Sequence, residues 1–163
     1  IPLNYDIIVR PHPEYIKRNK KDVHILQNRY LEIDNVSLET SSSLSTNIIE
    51  ASLLITDWSG IAIEFIWGMN KPVIYINTPK KIENIDYKEL SIEPIEDQIR
   101  NLNENVLELK ECKDIDIIIN NILKEDHCIS EKQLALKRNN IFNWGSSSDM
   151  SANYIVNYLE KTG

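Results

Sequence analysis

Two short segments hold residue types suited to a phosphorylated ligand. In Arg10-Pro11-His12-Pro13 an imidazole stands between prolines. Each proline fixes its own φ at about −65° and pushes the preceding residue toward extended backbone. His12 is thereby stiffly mounted and able to donate to a phosphate oxygen, while Arg10 can offer the paired donors of a guanidinium. The same residues would also serve as a structural turn, with Arg10 paired to a surface acid. The second segment, Asp57-Trp58-Ser59-Gly60, opens an apolar stretch from Ile61 to Met69 whose one acid is Glu64. Ser59 reads as the helix cap. Gly60, lacking a Cβ, leaves room for an anion at the first backbone N–H groups, where the helix dipole favours negative charge. A cap without a ligand is the alternative. Glu64 lies four residues beyond Gly60, on the same face and one turn along. A lone carboxylate in such a helix costs on the order of several kcal/mol unless partnered. A ribose or polyol diol would partner it, and so would a neighbouring Lys or Arg. Asp57 either orients the loop or pairs with Arg10.

Both segments follow short runs of strand-forming residues. Tyr5 to Val9 is a strand stopped by the prolines, and Leu53 to Thr56 is a continuous apolar run of the kind buried on both faces. Between them, Glu14 to Lys20 reads as a short helix, Val23 to Leu26 stays unassigned, and Asn35 to Thr40 is a strand leading into a hydroxyl-rich loop at 41–45. Thr46 to Ser52 has helical spacing. Ile61 to Met69 is a buried helix, capped at its end by Gly68 and Asn70 and closed by Lys71-Pro72. Val73 to Ile76 is the next buried strand, and Asn77 to Glu93 lacks periodicity, as a long surface loop does. Ile95 to Leu102 and Ile115 to Leu123 are helices flanking an edge strand at Val106 to Leu109. Two more helices run from Ser130 to Asn140 and from Ser151 to Leu159.

Strands alternating with helices imply right-handed crossovers. The fold class is therefore α/β, a doubly wound, Rossmann-like parallel sheet of about five or six strands. Ligands of such sheets bind beyond the carboxyl ends of the strands, where both segments fall. His12, Ser59-Gly60 and Glu64 should converge at one edge of the sheet, with Val9, Thr56 and Ile76 at carboxyl ends.

The composition limits what this site can serve. With 163 residues, 42% hydrophobic and 26% charged, the chain suits a single domain over 1–163. The net charge of −7 lacks the basic excess that nucleic acid requires, which excludes it as a partner. No apolar stretch reaches the roughly 18 residues of a membrane helix, and the N-terminus has no signal-peptide pattern. Cys112 and Cys128 follow no metal-ligand spacing and read as inert thiols of a reducing compartment, and no metal site suggests itself. Only four glycines are present, and neither a GxGxxG nor a Walker loop. A phospho-acceptor receiver domain would place an acidic pair after its first strand. Here that place reads Arg10-Pro11-His12, which repels a cation. The chain opens at Ile1-Pro2 and runs almost at once into a strand, as an excised part of a longer polypeptide would.

The order of motifs is Arg-Pro-His-Pro after a strand, then Leu-Ile-Thr-Asp-Trp-Ser-Gly-Ile-Ala-Ile-Glu-Phe, then Asn-Lys-Pro-Val-Ile-Tyr. It resembles the CDP-glycerol glycerophosphotransferase family, the teichoic-acid and capsule polymerases of GT-B architecture. The similarity spans residues 5 to 77 and extends more loosely over Trp144 to Leu159. The family pattern is usually Asp-Tyr-Ser-Ser, whereas here Trp58 replaces Tyr and Gly60 replaces the second Ser, removing one hydroxyl.

By this resemblance the chain is the C-terminal, nucleotide-donor-binding half of a two-domain transferase. That enzyme moves glycerol phosphate or a related polyol phosphate from a CDP-activated donor to a surface polymer. His12, Asp57, Ser59 and Glu64 correspond to donor-site residues, with His12 the catalytic one, and Arg10 and Gly60 complete the donor-binding set. The nucleotide is a substrate, CDP-glycerol or another CDP-polyol, and no cofactor is implied. The acceptor polymer would bind through an N-terminal domain outside this chain, so the isolated chain is expected to be inactive. The resemblance places the protein in the cytoplasm, held at the inner face of the membrane by parts outside this chain. The alternatives are a GT-B glycosyltransferase or sugar-nucleotide epimerase domain, and a non-catalytic α/β interaction module.

Overall fold

Short β-branched runs become strands and the stretches between them become helices. The computed structural model describes residues 5–41, 46–80, 86, 89, 92–125 and 129–162. Residues 42–45 of the hydroxyl-rich loop at 41–45, most of 81–91, and Cys128 lie outside the described residues. The elements in chain order are β1 (Ile7–Val9), α1 (Pro13–Arg18), α2 (Lys20–Tyr30), β2 (Val36–Leu38), α3 (Thr46–Glu50), β3 (Leu54–Thr56), α4 (Ile61–Ile63), β4 (Val73–Asn77), α5 (Ile95–Asn101), β5 (Val106–Glu108), α6 (Ile115–Lys124), α7 (Glu131–Asn140) and α8 (Ser147–Thr162). A π-helical segment, Glu64–Gly68, continues α4, and a 3₁₀ turn, Leu109–Asp114, precedes α6. The fold is α/β and Rossmann-like, with every strand pair parallel. The expected single sheet is instead two ladders, β1-β2 and β3-β4-β5.

The chain forms two compact units. The first comprises Ile1–Leu53 and Lys110–Glu125. In it Ile7 stands opposite Val36 and Val9 opposite Leu38, and Glu39 N extends the ladder by donating to Val9 O at 2.9 Å. Asn35 Nδ2 ties the strand entry to Tyr5 O at 2.8 Å, and Tyr5 Oη donates to Asn120 Oδ1 of α6 at 2.6 Å. The unassigned stretch Val23 to Leu26 is the middle of α2, a mostly polar helix whose one buried residue is Val23.

The second unit comprises Leu54–Leu109 and Asp126–Gly163. Here β4 lies between β3 and β5, with Ile55 opposite Ile74 and Ile76 opposite Leu107. Position in the ladder explains the burial. Central Val73, Ile74 and Tyr75 are at most 2% exposed, whereas Ile55 on the edge strand is 43% exposed. The expectation that β3 is covered on both faces therefore fails at Ile55, which leaves its face of this strand, at the edge of the described ladder, open. Ala62, Phe65, Ile66 and Trp67 of the α4–π segment and Ile99 of α5 complete this core. Burying each such large side chain is worth roughly 1.5–3 kcal/mol.

The segment after Asp57 was expected to be one buried helix, and it is, with a π-helical second half. Asn70 follows it with φ +53°, the left-handed conformation that ends many helices, and its Oδ1 accepts from Ile129 N at 3.1 Å. Ser130 and Gln133 form a reciprocal capping box that starts α7. The last helix begins earlier than its apolar spacing suggests. Asn143 and Gly145, at φ +53° and +79°, turn the chain, and Ser147, the first residue of α8, donates from Oγ to Asn143 O at 2.8 Å. Among the described residues no helix is long and apolar enough to cross a membrane.

Candidate functional site

The proline-flanked loop belongs to the first unit and the Asp57 loop to the second. His12 has φ −56° and ψ 138°, the extended conformation that Pro13 imposes on the residue before it. Pro13 then occupies the first turn of α1, where its missing N–H costs nothing. The His12 ring caps this helix, with Nδ1 accepting from Glu14 N at 3.2 Å. A lone pair at Nδ1 requires the neutral ring to carry its proton on Nε2. His12 is exposed, so that Nε2–H is available to a ligand. Further along, Lys17 donates to Glu14 Oε1 at 2.9 Å, and this contact holds the Glu14 carboxyl below its usual range. Arg10 is partly buried and pairs with Glu39 at 3.9 Å, each residue following the last position of its strand. This is the acid pairing that the sequence left open, and the acid is Glu39.

The second loop is held differently. Trp58 Nε1 donates to Thr78 O at 2.9 Å, tying the end of β3 to the residue after β4. Arg100, near the end of α5, is 4% exposed and reaches the same place. Its Nη1 donates to Asp57 O at 3.1 Å, and its Nη2 to Ile76 O at 3.4 Å and Asn77 Oδ1 at 3.3 Å. The guanidinium also lies 4.1 Å from the centre of the Trp58 ring and 4.9 Å from that of Tyr75. Burial lowers the Arg100 pKa, against the pull of Tyr75, Asp57 and Asp97. Burial likewise pushes the Tyr75 phenol up to about 12, and its hydroxyl has no hydrogen-bond partner among the described residues. Lys80 sits 5.5 Å from the Trp58 ring centre and pairs with Asp97 of α5, while Asn77 Nδ2 donates to Glu108 Oε1 at 2.6 Å. Asp57 thus anchors the loop through its backbone carbonyl, and its carboxylate is exposed.

Three expectations for this loop change. Ser59 is not the side-chain cap of the helix. Gly60, at φ −62° and ψ −20°, holds the cap position, and Ser59 contributes its carbonyl, which accepts from Ala62 N at 3.2 Å. The hydroxyl of Ser59 has no partner among the described residues, because the chain is already helical at Gly60 and Oγ is not drawn to a backbone N–H. Gly60 is not required by the backbone either, since its φ is ordinary and an added Cβ would lie 3.9 Å from Glu96 Oε1. Glu64 is exposed, so the desolvation argument for a diol partner does not apply to it. It sits instead at the first position of the π-helical segment, and such segments occur frequently at functional sites.

Arg100, Tyr75 and Asn77 were missed by sequence reasoning. The available signal was Arg100 directly after buried Ile99, a cation bordering the apolar face of a predicted helix. Cys112 is half-buried. No group of three or more His, Cys, Asp or Glu among the described residues could hold a metal ion.

A Rossmann-like α/β protein with loops exposed at the carboxyl ends of parallel strands is the class that the fold defines. The family model for CDP-glycerol:poly(glycerophosphate) glycerophosphotransferase matches residues 2–117. That is more than half of the chain, which therefore belongs to this family of glycerophosphotransferase-type transferases. The match includes both loops and α5, whereas α7 and α8 lie beyond it. No match was found among curated proteins or among solved structures.

Proposed function

We propose that this chain is the donor-binding domain of a GT-B transferase. The enzyme moves glycerol phosphate, or a related polyol phosphate, from a CDP-activated donor onto a cell-surface polymer of the teichoic-acid or capsule type. The observation that carries the reading is the continuous family match over residues 2–117, which takes in every candidate donor residue from Arg10 to Glu64. His12 offers Nε2–H to a phosphate oxygen. Its capping contact favours a hydrogen-bond donor that stabilises developing charge over a ring that shuttles protons through Nδ1. Ser59 Oγ and the N–H groups near Gly60 serve the pyrophosphate, Glu64 a ribose or polyol hydroxyl, and Arg10 and Asp57 support their loops. The acceptor hydroxyl attacks the phosphorus nearest the glycerol and releases CMP. The acceptor-binding domain and any membrane attachment belong to parts outside this chain, and the chain alone has little activity.

The test is a transfer assay with a protein containing this chain, using CDP-glycerol labelled in the phosphate next to glycerol. Label and glycerol should enter the polymer in equal amounts as CMP is released. Label that stays wholly with the nucleotide while the organic group is transferred would instead show glycosyltransferase-type chemistry.

A further inference from the structure

Arg100 is the one cation in the buried core of the described residues. Among them no carboxylate lies within ion-pair distance of its guanidinium. Its hydrogen bonds go to two backbone carbonyls, Asp57 O and Ile76 O, and to the amide oxygen of Asn77. Removing a guanidinium from water is costly, and neutral acceptors offset that cost only in part. The acceptors share one property: each lies at the carboxyl end of β3 or β4, and the loop bearing Asp57, Ser59 and Gly60 begins at the first of these. The planar cation also lies over two aromatic rings, 4.1 Å from the centre of Trp58 and 4.9 Å from that of Tyr75. Trp58 is in turn fixed at its far end by Thr78 O. A single side chain from α5 therefore sets the backbone at Asp57 and the ring orientation of Trp58 together.

We infer that Arg100 is a positioning residue for the donor loop, acting through Asp57 and Trp58 and not by touching the ligand. This rests on the reading of that loop as donor-binding. Only a rigid fork with several donors in one plane can bond strand-end carbonyls while stacking on an indole. A lysine in its place would keep the charge and lose the fork and the stack.

The test uses the chain labelled with 5-fluorotryptophan and followed by fluorine NMR, the Trp58 resonance being assigned with Trp58→Phe. In the ligand-free protein Arg100→Lys should shift and broaden the Trp58 resonance and leave those of Trp67 and Trp144 in place. In a CDP-glycerol titration the same variant should raise Kd about tenfold. Asn77→Ala, which removes one exposed acceptor and spares both carbonyls, should move both readouts the same way by about two- to threefold. It decides the matter if Arg100→Lys does not fold. A folded Arg100→Lys with an unmoved Trp58 resonance, or with that resonance moved and Kd within twofold of wild type, overturns the inference. If wild-type protein does not bind CDP-glycerol, the donor-loop reading fails, and the ligand-free Trp58 signal alone decides whether Arg100 positions the loop.

Discussion

The two loops that carry the candidate residues are stiffened by opposite means. The Arg10–Pro13 loop is rigid by its own sequence. Two prolines set the backbone, and His12 closes the turn onto Glu14, two residues away. Its unit is thinly packed, with Val23 and Ile119 its only buried hydrophobic residues among those described. The Asp57–Gly60 loop contains no proline and depends on residues 20 to 43 positions distant, Thr78 and Arg100, set against the larger core of β4, the α4–π segment and α5. Local stiffness survives changes elsewhere in the molecule. Stiffness borrowed from a core is lost when the core side chain goes. The first loop should therefore answer mainly to substitutions within it, and the second to substitutions outside it.

The largest expected effect lies at His12. His12→Ala should lower turnover of an active protein that contains this chain by about two to four powers of ten. It should also cost about 1 kcal/mol of stability through the lost cap. Asparagine is a good capping residue but too short to present a donor where Nε2 stands. His12→Asn should therefore regain stability in thermal unfolding and stay as inactive as alanine. Restored turnover in His12→Asn would reduce His12 to a turn residue.

The next effect tests the core beneath the second loop. The folded protein holds the Tyr75 proton up to about pH 12, whereas an ordinary phenol releases it near 10.0. The stabilisation is complete below the lower value and is lost as pH rises through the interval, because only the unfolded chain ionises there. Denaturant unfolding should show a fall of about 2 kcal/mol between pH 10 and 12, discounted for solvent screening. Tyr75→Phe removes a buried hydroxyl that has no described partner, so it should be neutral or stabilising at pH 7 and should flatten this fall.

Much of this was legible in the sequence where the cause is local. The prolines dictated the conformation of His12, and apolar spacing marked α5, α6 and the strands. The helix read from Ser130 to Asn140 stands as α7, which starts behind a reciprocal Ser130–Gln133 cap that involves only neighbouring residues. What escaped depends on contacts distant in sequence. The burial of Arg100 follows from the packing of Trp58 and Tyr75 around it, which no window of sequence contains. The π-helical turn at Glu64 and the exposure of that acid are likewise tertiary outcomes, as is the division of five strands into two ladders. Loop 42–45 and Cys128 fall outside the described residues.

Smaller effects separate the roles within the second loop. Ser59→Ala removes a hydroxyl with no described partner, so stability should hold within about 0.5 kcal/mol. Donor Kd, read by calorimetry, should rise by about tenfold, the worth of one charge-assisted hydrogen bond. Gly60→Ser restores the hydroxyl of the usual family pattern at a position whose backbone and surroundings accept a Cβ. Unfolding should be unchanged within about 0.5 kcal/mol, and donor binding should tighten a few-fold.

A donor domain for CDP-activated polyols is defined most directly by which nucleotide it binds. Calorimetric titration of the chain with CDP-glycerol, CMP and a UDP-sugar should show CDP-glycerol binding weakly, with Kd on the order of a millimolar, and more tightly than the other two. A UDP-sugar that binds as well as or better than CDP-glycerol, or no heat with any of the three at several times that concentration, would contradict this role.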